Sequence, residues 1–373
     1  MEVYHMNKKT PIIGLAGLSV VVGGIWSVYR LINRGSRFLD SYVKKTEYIG
    51  TNCTMELEKD GYYSLTKKDN KPFKVLQLTD LHIGGGYWSR HEDMQALSIV
   101  TKMIQRTKPD VIVLTGDLAC PRAHISFSRN NLNSYRIITD MLEKIGIPYA
   151  VTFGNHDAEG RAIYKRRELA EFLLTREHCL MVETEETEKI TGFSNYIVKL
   201  RNQSGKLNSV LYMMDSNEYI YAEKKKTYDY IHDDQVEWYE NVTKRINEEN
   251  DRKVPSHIFM HIPIWEYNDA WNAAVNAKSG SIYYYGSRDE KISCSSFRSK
   301  LFEKVLELDS TKGIFCGHDH LNDFSVAYKG IRFTYGQGID CILYAKNLSE
   351  HKGATLMKIH ANGSFDIKGK KHR

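Results

Sequence analysis

Five short segments hold the side chains best suited to chemistry: Asp80-Leu81-His82, Gly116-Asp117, Gly154-Asn155-His156-Asp157, His261 and Gly317-His318-Asp319-His320. Their carboxylates, carboxamide and imidazoles are hard or borderline donors. Such a set suits Mn, Fe, Zn or Mg, with no thiolate required. The seven donors Asp80, His82, Asp117, Asn155, His261, His318 and His320 suffice for two divalent cations side by side. Two aspartates and a hydroxide would leave such a pair with residual positive charge. That charge would attract a phosphate group and stabilise its transition state. The chemistry implied is metal-assisted hydrolysis of a phosphate ester.

Taken alone, each residue is ordinary. An Asp at a strand end is usually a turn or helix cap, and a lone His is usually packing. Position gives the set its weight. Four segments follow apolar, β-branched runs directly, and His261 closes the shorter run Ile258-Phe259-Met260. In open α/β sheets ligands gather where strands end, so distant residues can meet at one rim. The chain must supply those strands. Residues 62–66 and 73–79 read as a hairpin into a core strand. Residues 89–107 and 132–145 carry apolar side chains at helical spacing, as do 235–249 and 298–308. Strands are expected at 111–115, 149–153, 209–214, 257–260 and 313–316, and hairpins around Gly330, Gly336 and Gly363.

The ordered set DLH, GD, GNHD, H and GHDH resembles the calcineurin-like metallophosphoesterases, over residues 73 to about 335. The resemblance implies an α/β sandwich of two mixed β-sheets flanked by helices. It implies that Asp80, His82 and His320 hold one metal and Asn155, His261 and His318 the other, with Asp117 bridging both. His156 would protonate the leaving oxygen, Asp157 would orient His156, and a metal-bridging hydroxide would attack phosphorus. The sequence departs from two branches. The Ser/Thr protein phosphatases carry GDxVDRG, whereas Gly116-Asp117 runs into Leu118-Ala119-Cys120. Purple acid phosphatases need a tyrosine where this chain has Cys120. The broad branch of the family remains.

Composition bounds the rest. Of 373 residues, 42% are hydrophobic and 26% charged, enough for a sizeable core. The net charge of +6 is concentrated at the two ends: residues 1–50 and 368–373 each carry +4, leaving the body slightly acidic. That excludes a long nucleic acid as partner. The six cysteines show no metal-ribbon or disulfide spacing.

Residues 11–29 carry no charge and would cover about 28 Å as a helix. They read as a transmembrane anchor for a single-pass membrane protein. Positive charge after the run and five glycosylation sequons point to opposite sides of the membrane, so the side of the catalytic domain stays open. Ser19, Gly23 and Ser27 form a small-residue ridge on which two such helices could form a homodimer. The expected organisation is an anchor over 1–30, a polar stalk over 31–54 and a phosphoesterase domain over 55–373. The expected function is that of a membrane-anchored, dinuclear-metal phosphoesterase acting on a phosphate ester. The alternatives are a phosphodiesterase acting on nucleotides or lipid head groups, and a non-catalytic metal-binding interaction protein. Arg288 is a candidate phosphate contact, and the aromatic stretch between His261 and Gly317 a candidate groove wall.

Overall fold

The computed structural model describes residues 10–33, 37–222, 225–343 and 352–371, with side chains described from residue 20 onward. Helices α1 (Thr10–Ile32) and α2 (Arg37–Lys45) precede the sheets. Strands β1 (Cys53–Leu57) and β2 (Tyr63–Lys67) pair antiparallel, and the chain then crosses to a second sheet for β3 (Phe73–Leu78). Helix α3 (Arg90–Thr107) leads to β4 (Val111–Thr115). Helices α4 (Ala123–Ser126) and α5 (Asn131–Ile145) lead to β5 (Tyr149–Thr152). After α6 (Arg166–Leu173) come the antiparallel pair β6 (Tyr196–Arg201) and β7 (Leu207–Met213). A two-stranded ribbon, β8 (Tyr219–Ala222) with β9 (Lys225–Tyr228), precedes α7 (Asp233–Glu249). Then follow β10 (Ser256–Phe259), α8 (Glu266–Val275), β11 (Ser281–Tyr285), α9 (Leu301–Leu308), β12 (Thr311–Cys316), β13 (Ser325–Tyr328) and β14 (Ile331–Tyr335). The antiparallel pair β15 (Gly353–Ile359) and β16 (Phe365–Lys371) closes the second sheet.

The nine-stranded sheet has the order β1-β2-β6-β7-β10-β12-β14-β13-β11, and the five-stranded sheet β16-β15-β3-β4-β5. Both are mixed. Their middles are parallel: β3, β4 and β5 in one sheet, β7, β10, β12 and β14 in the other. Parallel strands covered on both faces read as continuous apolar runs, and β4, β5, β7 and β10 are buried at every position. All the candidate segments sit just past the C-terminal ends of these parallel strands. Gln77, inside β3, ties the sheets together: its Nε2 donates to Thr115 Oγ1 (3.0 Å) in its own sheet and to the Cys316 carbonyl (3.0 Å) in the other.

The expected hairpin between 62–66 and 73–79 is not formed. β2 pairs with β1 and with β6, whereas β3 lies in the other sheet against β15 and β4. The polar turn at 68–72 therefore joins sheets rather than neighbouring strands.

Among the described residues no helix is long and apolar enough to cross a membrane. This corrects the transmembrane anchor expected over 11–29 and the single-pass membrane localisation, and leaves a homodimer through that helix without support. α1 forms, but its described side chains begin at Val20. From Val20 to Ile32 the helix is exposed or half-buried. That stretch also contains Arg30, and its end is fastened to the domain. The Arg129 N–H donates to the Ile32 carbonyl (3.1 Å) and Asn130 Nδ2 to the Asn33 carbonyl (3.1 Å).

The stretch expected as a polar stalk is also docked. Leu39 of α2 is fully buried, Arg136 of α5 pairs with Asp40 (2.7 Å), and Tyr42 donates to Thr101 of α3 (3.2 Å). Leu39→Ala should lower stability by about 3 kcal/mol, the cost of truncating a buried leucine, with turnover per folded molecule unchanged. Urea unfolding measures the first and a steady-state assay the second. An unchanged midpoint would detach α2 from the domain.

Candidate metal centre

After β3 the chain continues beside the residues that follow β4. Asp80, His82 and Ile83 donate their N–H groups to the carbonyls of Gly116, Asp117 and Leu118 (3.1, 2.9 and 2.9 Å). Asp80, His82, Asp117 and His318 all have positive φ (54°, 48°, 51° and 78°). Non-glycine residues rarely adopt this region, and such strain gathers at functional sites. Gly116 has φ 81°, and a Cβ there would lie 2.6 Å from the Gly154 nitrogen. A side chain at 116 would push the two rim loops apart.

Six of the seven expected ligands form two groups. Asp80, His82 and His320 form one; Asp117, His261 and His318 form the other. Within the first, His82 Nε2 is 3.2 Å from His320 Nε2, and His320 Nε2 is 3.2 Å from Asp80 Oδ1. Within the second, His261 Nε2 is 3.3 Å from His318 Nδ1 and 3.1 Å from Asp117 Oδ2. Two donors about 2.0–2.1 Å from one tetrahedral metal are about 3.3 Å apart. The observed spacings match. Asp117 Oδ2 also lies 3.6 Å from His82 Nε2, between the groups. Asn155 gives its amide N–H to Tyr219 Oη (2.8 Å), which leaves its buried Oδ1 without a hydrogen bond. Asp80 Oδ1, Asp117 Oδ2 and His318 Nε2 are likewise buried without one. Such orphaned atoms are costly unless something else satisfies them, and divalent cations fit. His261 Nδ1 faces the Thr115 carbonyl (2.8 Å), so that nitrogen carries the proton and Nε2 keeps its lone pair for a metal.

The electrostatics agree. Burial alone would raise the Asp117 carboxyl, but the His261, His156 and His82 rings outweigh it and hold it well below the carboxylate range. Burial would lower His261, and the Asp117 charge instead pushes it up to about 9. Burial, reinforced by His261, drives His318 down to about 3, which leaves a neutral ring. The pocket holds buried negative charge that demands cations; His261 meets that demand with a proton, which a bound metal would displace, whereas His318 is already neutral.

Asp157 and His156 are placed differently from expectation. The Asp157 carboxylate accepts from the N–H groups of Asp117 (3.1 Å), Leu118 (2.8 Å), Ala119 (3.0 Å) and Gly154 (2.8 Å). It clamps the two rim loops together. The group that meets the His156 ring is Glu159, whose Oε2 is 2.5 Å from Nδ1. Arg122 Nη2 donates to the same Oε2 (2.8 Å). Orienting His156, expected of Asp157, thus falls geometrically to Glu159. His156 Nε2 lies 4.0 Å from Asp117 Oδ2 and lines a cavity of about 390 Å³ with Arg122, Tyr228, His318 and His320. Arg288 does not line it; its Nε reaches the Glu290 carbonyl (3.4 Å). Of the aromatic stretch, Tyr267 is core, and Trp265 lines the neighbouring groove.

Sequence reasoning missed four residues here. Glu159 and Arg122 hold His156. Asp340 Oδ2 lies 3.3 Å from His320 Nδ1 and fixes that ring. Tyr219 accepts from Asn155 and donates to Glu159 Oε1 (3.3 Å). For Glu159 the signal was its place three residues after His156. For the others, far along the chain from their partners, no local pattern existed.

A sandwich of two mixed sheets with a dinuclear ligand set at its rim defines a metallophosphoesterase. The sequence profile described as calcineurin-like phosphoesterase matches residues 73–322, and the chain belongs to that family. It is 28% identical to "Probable inactive purple acid phosphatase 28" of Arabidopsis thaliana, over 83% of this chain and 80% of that one. It is 28% identical to "Phosphatase DCR2" of Saccharomyces cerevisiae, over 71% of this chain and 46% of that one. A solved structure, a dimetal phosphatase from Danio rerio, shares the fold with a TM-score of 0.54 at 11% identity, over 81% of this chain and 97% of that one. The protein is a metal-dependent phosphoric ester hydrolase, and its family works with two divalent metal ions. Where a purple acid phosphatase would need tyrosine, Cys120 is buried and outside both ligand groups.

Asp340→Asn should weaken metal retention about 10- to 100-fold, the usual effect of losing a carboxylate behind a ligating histidine. Metal analysis after dialysis against graded chelator reads this, and unchanged retention would remove Asp340 from the site. Asp157→Asn should lower both metal content and the unfolding midpoint, because it loosens the loops that carry Asp117 and Asn155. Full metal content with reduced turnover would instead restore Asp157 to the side of His156.

Proposed function

We propose that the protein hydrolyses a phosphate ester directly, with His156 protonating the leaving oxygen. The observation that carries this reading is the His156 ring itself, part-exposed in the cavity wall between the ligand groups and the Glu159–Arg122 pair. Asp80, His82 and His320 hold one metal, Asn155, His261 and His318 the other, and Asp117 lies between. The bound metals supply Lewis acidity toward phosphoryl oxygens and an activated water.

The chain's own groups do the rest. Burial would lower the His156 ring, but the Asp117 and Glu159 charges outweigh it and raise it. That shift favours the protonated ring. Arg122 Nη2 lies 3.1 Å from Nδ1 as well but can only donate, so on the protonated ring the Nδ1 proton goes to Glu159 Oε2. Nε2–H is left facing the cavity, where a general acid needs it. Arg122 and His156 hold Glu159 at about 2, against a burial effect in the opposite direction, so it stays ionised. Arg122 also brings positive charge to the cavity wall, beside an incoming phosphate.

A second reading, phosphodiester hydrolysis, has one feature in its favour. A groove of about 750 Å³ shares Tyr228 and Ser293 with the cavity and would accommodate a second ester substituent. A non-catalytic interaction role gains nothing from an acid held ready at the ligand set.

Paired substrates test the reading. After Mn²⁺ reconstitution, p-nitrophenyl phosphate or its bis-ester should be turned over, and Asp117→Asn should abolish this; the faster ester selects phosphatase or diesterase. His156→Ala should lower kcat on an alkyl phosphate by about 10²–10⁴-fold. Its effect on p-nitrophenyl phosphate should be much smaller, because that leaving group needs little protonation, and metal content should be unchanged. Glu159→Gln should follow the same leaving-group pattern more weakly. Equal loss on both esters would sink the general-acid role.

A further inference from the structure

A larger cavity lies at the opposite end of the sheets. Its volume is about 850 Å³, and it is built where strands begin: the turn before β3, the residues before β4, the segment 48–52, and the outer face of β15. The six residues of β3 separate it from Asp80, about 20 Å at strand rise. Five lysines line it, Lys67, Lys71, Lys74, Lys108 and Lys358, against two carboxylates, Asp69 and Asp110.

The carboxylates are spent. Asp110 Oδ1 accepts from Lys67 Nζ (2.6 Å) and Oδ2 from the Lys74 N–H (2.8 Å). Asp69 lies 3.7 Å from both Lys67 and Lys71. Lys74 Nζ donates to the Thr107 carbonyl (2.7 Å). Lys108 and Lys358 are exposed and form no ion pair among the described residues. Lys108 is held at the rim by its left-handed backbone (φ 45°) at the end of α3. The ammonium groups feel one another: burial depresses Lys74, and Lys67, Lys358 and Lys108 add to that, with Asp110 opposing. Tyr48, largely exposed, adds a flat aromatic face to the groove, its side chain packed over Gly146 and Gly50, where Cβ atoms would lie 2.2 and 2.9 Å from it.

Charge of one sign crowded into a concave site raises the local concentration of the opposite ion. The crowding is local, because the body of the chain is slightly acidic. The excess of three lysines over carboxylates exceeds what one phosphoryl group would balance. We infer that this groove is a second, non-catalytic anion site, which takes a small soluble ligand carrying two or more phosphoryl groups. None of the expected metal ligands lines the groove, so it binds without hydrolysing. The inference does not depend on the acid assigned to His156.

Calorimetric titration of the metal-loaded full chain with a triphosphate analogue carrying methylene at both bridging positions tests it, because that probe has no P–O–P bond for the metals to cleave. Two classes of site are expected. The triple variant Lys71→Gln, Lys108→Gln, Lys358→Gln, all solvent-facing, should weaken one class at least tenfold and leave p-nitrophenyl phosphate turnover unchanged. Asp117→Asn should remove the other class and keep this one. Identical titrations for wild type and triple variant would overturn the site. So would a single class lost in Asp117→Asn, or displacement by sulfate at equal ionic strength as effective as by the triphosphate analogue.

Discussion

One buried carboxylate sets the geometry on which the site depends. Asp157 accepts four backbone N–H groups, three from the loop after β4 and one from the loop after β5. Charge-assisted bonds of this kind are about twice as strong as neutral ones, and here they fix backbone rather than side chains. Asp117 and Asn155 ride on those two loops, so their spacing follows from the clamp. The clamp needs a close approach, which Gly116 and Gly154 allow; a Cβ at 154 would fall 2.2 Å from Asp117 Oδ1. Asp117 answers in kind, its Oδ1 accepting the His156 N–H (2.8 Å). Each loop thus holds the other by a carboxylate on backbone.

The second constraint is the join between sheets. Each sheet carries an incomplete site: Asp80, His82, Asp117 and Asn155 on one rim, His261, His318 and His320 on the other. Gln77 and Thr79 set the sheets in register. Thr79 Oγ1 lies 3.0 Å from the Thr115 carbonyl and 2.7 Å from Asp80 Oδ2, and a Cβ at Gly317 would sit 2.0 Å from that hydroxyl. The glycine before His318 lets the second rim close on the first. The His318 N–H then donates to Asp80 Oδ2 (3.0 Å), a bond from one sheet to the other.

How much of this was legible follows from the kind of signal each residue carries. That the expected ligands would meet at one rim was legible because each stands at the end of an apolar run, so pattern and chemistry coincide. Helices α3, α5 and α7 were legible through their apolar spacing. The hairpin at 62–79 was misread because a polar turn between two strands looks the same whether the strands pair or part; only the partners β1, β6 and β15 decide. An uncharged run at 11–29 has the composition of an anchor, yet no described helix has the length and apolarity to cross a membrane. Asp340 and Arg122 were invisible because a carboxylate behind a ligand, or a guanidinium behind an acid, is fixed by folding and has no periodicity.

Tyr219 shows how far these supports are coupled. Its hydroxyl accepts from Asn155 and lies 3.3 Å from Glu159, so one oxygen touches a proposed metal ligand and the partner of His156. The ribbon that carries it also presents Tyr228, whose ring meets His318 edge-on at 4.5 Å. That ribbon forms part of the groove beside the cavity. A substrate lying against Tyr219 or Tyr228 would press on the orientation of Asn155, His318 and Glu159 together. Binding energy gained far from phosphorus can then be used to align the groups around it, which is how remote contacts raise turnover as well as affinity.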